Sequence, residues 1–271
     1  MPILERDGRV IWKRWSTGES LTRWLIFTAL LILFLISWRV ISANTLWVFV
    51  LDAPAQAADI FSRMVPPRLA YLPELWWPLW DTIVIATFGT AGAILVAVPV
   101  AFLAARNTSP AGGILRPLAL IVIVASRSIN ALAWALLLVT IVGPGVLAGI
   151  IAIALRSIGF VGKLLYESIE EIDHRQVEAI RATGAHPLQV LRIAVLPQIM
   201  PSFAGISVYR WDINIRESTV LGLVGAGGIG LQLQASINVL QWRQVAVILI
   251  LILGTVLFSE WVTARVRRAV L

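Results

Sequence analysis

The chain has 271 residues, of which 59% are hydrophobic and 14% charged, with a mean hydropathy of +0.86. Soluble domains carry about 25% charged residues, so these charges are too few to cover a water-facing surface, and disorder is excluded because disordered chains are poor in apolar residues. The net charge of +7, with lysine only at Lys13 and Lys163, fits a positive-inside membrane protein better than a nucleic-acid binder, and the absence of cysteine excludes disulfides, thiolate zinc sites and cysteine nucleophiles.

At about 20 apolar residues per helical span the chain has room for five or six spans. A polar stretch from Met1 to Arg23 precedes an apolar run from Trp24 that extends to about Ala43. The small-residue site Ser42-Ala43-Asn44 makes a poor signal-peptidase site, and the run reads as a retained first span. Residues 44–78 read as a linker at the membrane surface, with Pro54, Pro66, Pro67, Pro73 and Pro78 among the belt-type aromatics Trp47, Tyr71, Trp76 and Trp77.

The second span runs from about Thr82 to Ala105 and ends at Arg106. The third, from about Pro117 to Val142, is interrupted by Arg127, Ser128 and Asn130 and closes at Gly143-Pro144-Gly145. The fourth runs from about Val146 to Leu165 with Arg156 near its middle, where the side chain is expected to snorkel toward the cytoplasmic interface. A charged segment from Tyr166 to Arg192 follows and holds both histidines, His174 and His186. The fifth span, about Leu196 to Arg216, is followed by a glycine-rich stretch, and the sixth runs from about Val245 to Thr263. With both termini cytoplasmic, the inner segments carry 13 basic residues and the outer segments 3, as the positive-inside rule requires.

Within the charged segment, Val177, Ile180 and Gly184 share a helical face, and Leu188, Leu191 and Val195 repeat the pattern after Pro187. A pair of short cytoplasmic helices with such a stripe needs something to bury it, and a soluble partner subunit would serve. Glu178-Ala179-Ile180-Arg181-Ala182-Thr183-Gly184, followed at the appropriate distance by Ala194-Val195-Leu196-Pro197, resembles the EAA loop of the membrane subunits of bacterial ABC importers. The chain departs from that pattern at Ile180 and Ala194, where Ala and Ile are usual. Arg127-Ser128-Ile129-Asn130 resembles the Arg-Ser-Ile-Pro of methionine-importer-like permeases, with Asn130 in place of Pro. Val224-Gly225-Ala226-Gly227-Gly228-Ile229-Gly230 resembles their glycine-rich turn. Together with Arg210, Asn214, Arg216 and Ser218-Thr219-Val220, these stretches are most similar to the phosphonate importer permeases, which include phosphite carriers.

That resemblance implies an all-α membrane protein with the type I ABC importer permease fold: five core transmembrane helices, one extra N-terminal helix and cytoplasmic coupling helices. Residues 1–79 would hold the N-terminal helix and external linker, and 80–271 the core with its EAA loop at about 166–197. It implies two permease chains, here a homodimer, two ATP-binding subunits and an external substrate-binding protein, with ATP and Mg on the ATPase and no cofactor on this chain. Glu178, Ala179, Arg181, Gly184, Leu196 and Pro197 would serve ATPase coupling. The alternatives are a permease for methionine or another small solute, and a secondary transporter or channel working without an ATPase.

Ionisable residues inside spans default to functional roles. Arg210, Asn214, Arg216, Arg127 and Asn130 are therefore candidates for the substrate pathway, since a guanidinium suits an oxyanion through paired donors. Asp212 and Arg216, four apart with the acid first, are expected to pair within the helix, and Glu217 is an alternative neutraliser of Arg210. Gly225, Gly227, Gly228 and Gly230 are candidates for a gate or turn. Gly162-Lys163-Leu164 lacks the Ser or Thr of a phosphate-binding loop, and the Gly225-x-Gly227-x-x-Gly230 spacing lacks the acid that a dinucleotide site needs about 20 residues on. No catalytic set converges, so the chain is expected to be a transport subunit and not an enzyme.

Overall fold

The computed structural model describes residues 3–6, 9–12, 17–109 and 113–270. The chain falls into two compact units, Met1–Phe61 and Ser62–Leu271. In the first, an antiparallel hairpin pairs β1 (Ile3–Arg6) with β2 (Arg9–Trp12), Ile3 opposite Trp12. The helix α1 (Thr17–Asn44) follows and has no buried residue over its apolar stretch, as suits a span whose solvent is lipid. The linker expected after it begins instead with a helix, α2 (Trp47–Met64), at a corner where Trp47 Nε1 donates to the Ser42 carbonyl at 3.1 Å.

In the second unit α3 (Leu72–Ala104) begins at Leu72 and not at Thr82, with Pro73 in its first turn where the missing N–H costs nothing. The expected third span is two helices, α4 (Leu115–Ser128) and α5 (Ala131–Val142), bent by 88° at the break. The cause is local: Asn130 is extended at φ −69°, ψ 146°, and its side chain caps α5 by accepting from Leu132 N. The fourth span is α6 (Val146–Glu170), which keeps Tyr166 to Glu170 in the helix. After it come α7 (His174–Ala182), the single turn α8 (Pro187–Val190), a π-helical segment Leu191–Val195, and α9 (Leu196–Leu221). A short 3-10 turn, Gly222–Val224, leads to α10 (Ile229–Asn238) and α11 (Trp242–Val270).

α6 is the central helix, packed against α3, α4, α5 and α9. Glycines let its neighbours come close: a Cβ on Gly159 would stand 2.4 Å from the Ile123 carbonyl oxygen of α4, and one on Gly149 would stand 2.7 Å from the Ala226 carbonyl oxygen. Among the described residues, five helices are long and apolar enough to cross a membrane, or six if the bent α4–α5 pair is one span.

Candidate functional site

Two regions of the second unit hold most of the candidate residues. The first lies inside the membrane-spanning part, between α3, α6 and α9. Arg210 is 2% exposed and Asn214 fully buried. Arg210 Nε donates to Ser157 Oγ at 2.9 Å, and its Nη2 meets Glu217 Oε2 at 3.1 Å, while the guanidinium lies 5.1 Å above the Phe160 ring. Asn214 Nδ2 donates to Thr90 Oγ1 at 2.7 Å and to Ser157 Oγ at 3.1 Å. Burying an arginine requires a counter-charge and filled donors, and Glu217, two helical turns away on the same face, supplies the charge. The carboxylate is shared. Its Oε1 lies 3.4 Å from Arg156 Nε, and Arg156 Nη1 donates to Asn130 Oδ1 at 2.9 Å. Arg156 thus points into this network and not toward the cytoplasmic interface, because Glu217 and Asn130 both lie within its reach.

The network brings Arg210, Asn214 and Asn130 together and leaves Arg127 and Arg216 out of it. Arg127 is exposed, its stem lying over Gly159. Arg216 sits on another face of α9, where it pairs with Asp212 as the spacing predicts and reaches Glu260 of α11 at 3.5 Å. Asp212 Oδ1 also accepts from Ser259 Oγ at 2.6 Å. Sequence reasoning missed Thr90 and Ser157, whose signal was small: isolated hydroxyls in otherwise apolar spans, of which Thr90 also donates to the Ala86 carbonyl at 2.6 Å.

The glycine-rich stretch folds as a tight turn. Gly225, Gly227 and Gly228 hold φ of 88°, 81° and 78°, a region costly to other residues. Gly225 accepts a hydrogen bond from Gly145 N at 3.0 Å, which seats this turn against the Gly143-Pro144-Gly145 loop. Thr82 fixes its far side: Thr82 Oγ1 accepts from Ile229 N at 2.8 Å, and Ser218 Oγ donates to the Thr82 carbonyl at 3.2 Å. Gly230 sits where α9 and α10 cross, with room for no side chain.

The second region is the segment from α7 to the start of α9. Asp173 caps α7 by accepting from Arg175 N at 2.9 Å, and the Arg175 guanidinium on the same carboxylate holds its pKa below the ordinary carboxylate value. Gly184 ends the helix at φ 79°, its N–H donating to the Arg181 carbonyl at 3.0 Å. His186 and Gln189 form a capping box on α8, which accounts for His186 without a ligand. No group of His, Asp or Glu suited to a metal ion occurs among the described residues.

The apolar stripe is covered within the chain. Val177, Val190, Ala194 and Val195 are buried against Ala101 and Ala105 at the end of α3 and Leu165 and Ile169 of α6. The expectation that this stripe needs a partner is therefore corrected, since the ends of the spans provide its core. Gly184 and Leu188 depart from the stripe and are exposed, Leu188 by 69%. Outside the stripe Glu178, Ala179 and Arg181 are exposed, Arg181 flanking Val177 one turn on. A cavity of about 590 Å³ opens beside them, lined by Glu178, Arg181, Pro187 and Leu188 among others. Leu196 and Pro197 begin α9, and the π segment before them ends where Pro197 has no N–H to give a regular helix bond.

Residues 97–271 match the family described as binding-protein-dependent transport system inner membrane component. The chain is 42% identical over 211 residues to the phosphite transport system permease protein PtxC of Stutzerimonas stutzeri, covering 78% of this chain and 76% of that one. It is 39% identical over 221 residues to the phosphate-import permease protein PhnE of Mycolicibacterium smegmatis, covering 82% of this chain and 41% of that longer protein. Among solved structures, an inward-facing conformation of the MetNI methionine ABC transporter matches 75% of this chain and 99% of its own, with a TM-score of 0.65 at 22% identity. With the type I ABC importer permease fold, the chain belongs to the binding-protein-dependent transport system inner membrane component family, as a multi-pass permease subunit of the inner membrane.

Proposed function

We propose that this chain forms the translocation path of an importer that carries phosphite, a phosphonate or a related small oxyanion inward, driven by ATP hydrolysed on a separate subunit. The 42% identity with a phosphite permease over most of both chains carries this reading. The buried guanidinium of Arg210 and the half-exposed one of Arg156 support it, because paired donors with fixed positive charge match an oxyanion.

Two copies of the chain flank the path, an external binding protein delivers the ligand, and ATP and Mg reside on two ATPase subunits. The exposed face of Glu178, Ala179 and Arg181 is the docking contact for the ATPase, with Gly184 shaping the turn and Leu196 and Pro197 passing its movement to α9. Arg210, Asn214 and Asn130 contribute to the pathway, and the turn at Gly225, Gly227, Gly228 and Gly230 is its external gate. Both termini face the cytoplasm, which the excess of basic residues in the inner segments supports.

The test is transport in proteoliposomes holding the chain with its ATPase and binding protein, comparing phosphite, methylphosphonate, phosphate and methionine. Saturable uptake of phosphite or methylphosphonate is expected; preference for methionine would remove the oxyanion assignment.

A further inference from the structure

Resting on the oxyanion reading above, we infer that Arg156 and Arg210 form an anion site inside the membrane whose resting occupant is Glu217, and that the transported oxyanion takes Arg156 from that carboxylate. Two guanidiniums share one carboxylate here, through Arg210 Nη2 at 3.1 Å and Arg156 Nε at 3.4 Å, so the cluster holds one uncompensated positive charge. The balancing charge lies elsewhere: Asp212 and Glu260 face Arg216 on another side of α9, two acids to one base.

An unmatched cation is costly in lipid and is tolerated where it faces a water-filled cavity or an anion. Arg156 is the eleventh of the 25 residues of α6, about 15 Å along a helix that rises 1.5 Å per residue, near the centre of the hydrocarbon layer.

Accessibility grades across the cluster in the direction this role needs. The side chain of Arg210 is 2% exposed, Glu217 22% and Arg156 32%. Arg210 is a fixed anchor with Ser157 and Phe160 around it. Arg156 is the reachable end, and among the described residues its Nη2 has no hydrogen-bond partner. Its Nη1 holds Asn130, which caps α5 at the 88° break, so an anion that draws Arg156 away from Asn130 acts on the corner of the broken span.

The experiment uses the full complex with its ATPase, with phosphite as the probe, and compares wild type with Arg156→Gln, Arg156→Lys and Glu217→Gln. Binding of phosphite without the binding protein is read by calorimetry, and ATP-dependent uptake with it. Glu217→Gln removes the competitor; it lowers the thermal midpoint because Arg210 loses its counter-charge, and is expected to tighten phosphite binding of the folded complex about tenfold, the scale of one charge-assisted hydrogen bond. Arg156→Gln leaves the Arg210–Glu217 pair and the Asn130 cap on α5 intact and is expected to remain folded, with at most a few degrees lost from the thermal midpoint, while phosphite binding and uptake are lost. Arg156→Lys should restore part of the binding with a changed ratio of phosphite to sulfate. If wild type imports phosphite and Arg156→Gln binds and imports it equally well, the site is refuted while the transport reading stands. If wild type imports no oxyanion, the transport reading itself fails.

Discussion

Arg156 Nη1 donates to Asn130 Oδ1 at 2.9 Å, joining the middle of α6 to the residue that caps α5 after the break. Asn130→Ala removes the cap and this partner together, and loss of an N-cap alone costs about 1 kcal/mol. The variant is expected to insert but melt several degrees lower in detergent, while Asn130→Asp keeps the cap. Equal melting of wild type and Asn130→Ala would show that the corner is held by other contacts.

The crossing of α9 and α10 depends on Gly230, where an added Cβ would lie 1.9 Å from the Thr219 carbonyl oxygen. Overpacking of this kind costs about 1–3 kcal/mol, so Gly230→Ala is expected to lower the yield of folded, monodisperse protein. Gly205→Ala, with open space at its Cβ, is the matched control and should be neutral. Size-exclusion profiles and melting curves of the two variants measure the difference.

Coupling to an ATPase through α7 predicts two distinct defects. Glu178→Ala alters the exposed face and leaves the helix standing, so ATP-driven uptake should fall several-fold with membrane insertion unchanged. Gly184→Leu forces a branched residue into φ 79°, at about 1–2 kcal/mol, and should lower uptake by shifting the turn. Unchanged uptake in both variants would remove this face from the transport cycle.

The cap on α7 also predicts a pH dependence. Asp173 is held below the ordinary carboxylate value of 3.8 by the Arg175 guanidinium and then the Arg175 N–H. A lowered folded pKa means that the cap's stabilisation is fully present above the ordinary value and is lost as pH falls through the lowered one. Hydrogen exchange of the α7 amides should therefore be flat from pH 7 to 5, after correction for intrinsic rates, and show fraying only in stronger acid. Asp173→Asn keeps a capping oxygen and should abolish the acid transition.

The spans were readable because lipid asks only for length and apolarity, and the third span's interruption was visible in Arg127, Ser128 and Asn130. The bend was not, since it depends on Asn130 turning its side chain to Leu132 N and Arg156. The helix α2 was hidden by Pro54, which reads as a breaker but is carried inside a helix. The stripe of Val177 and Val195 was correctly placed on one face, yet its cover comes from Ala101 and Leu165, residues distant in sequence. Arg210 stands out in the sequence as an ionisable residue inside a span, with Asn214 and Glu217 on the same face. Its setting among Ser157, Asn214 and Thr90 is a long-range arrangement of three helices, which no local pattern encodes.

The most direct measurement is phosphite uptake into proteoliposomes containing the permease and a saturating binding protein, with the ATPase subunits and ATP present or omitted. Uptake that requires both subunits and ATP is the predicted result; accumulation of phosphite by the permease chain unaided would contradict it.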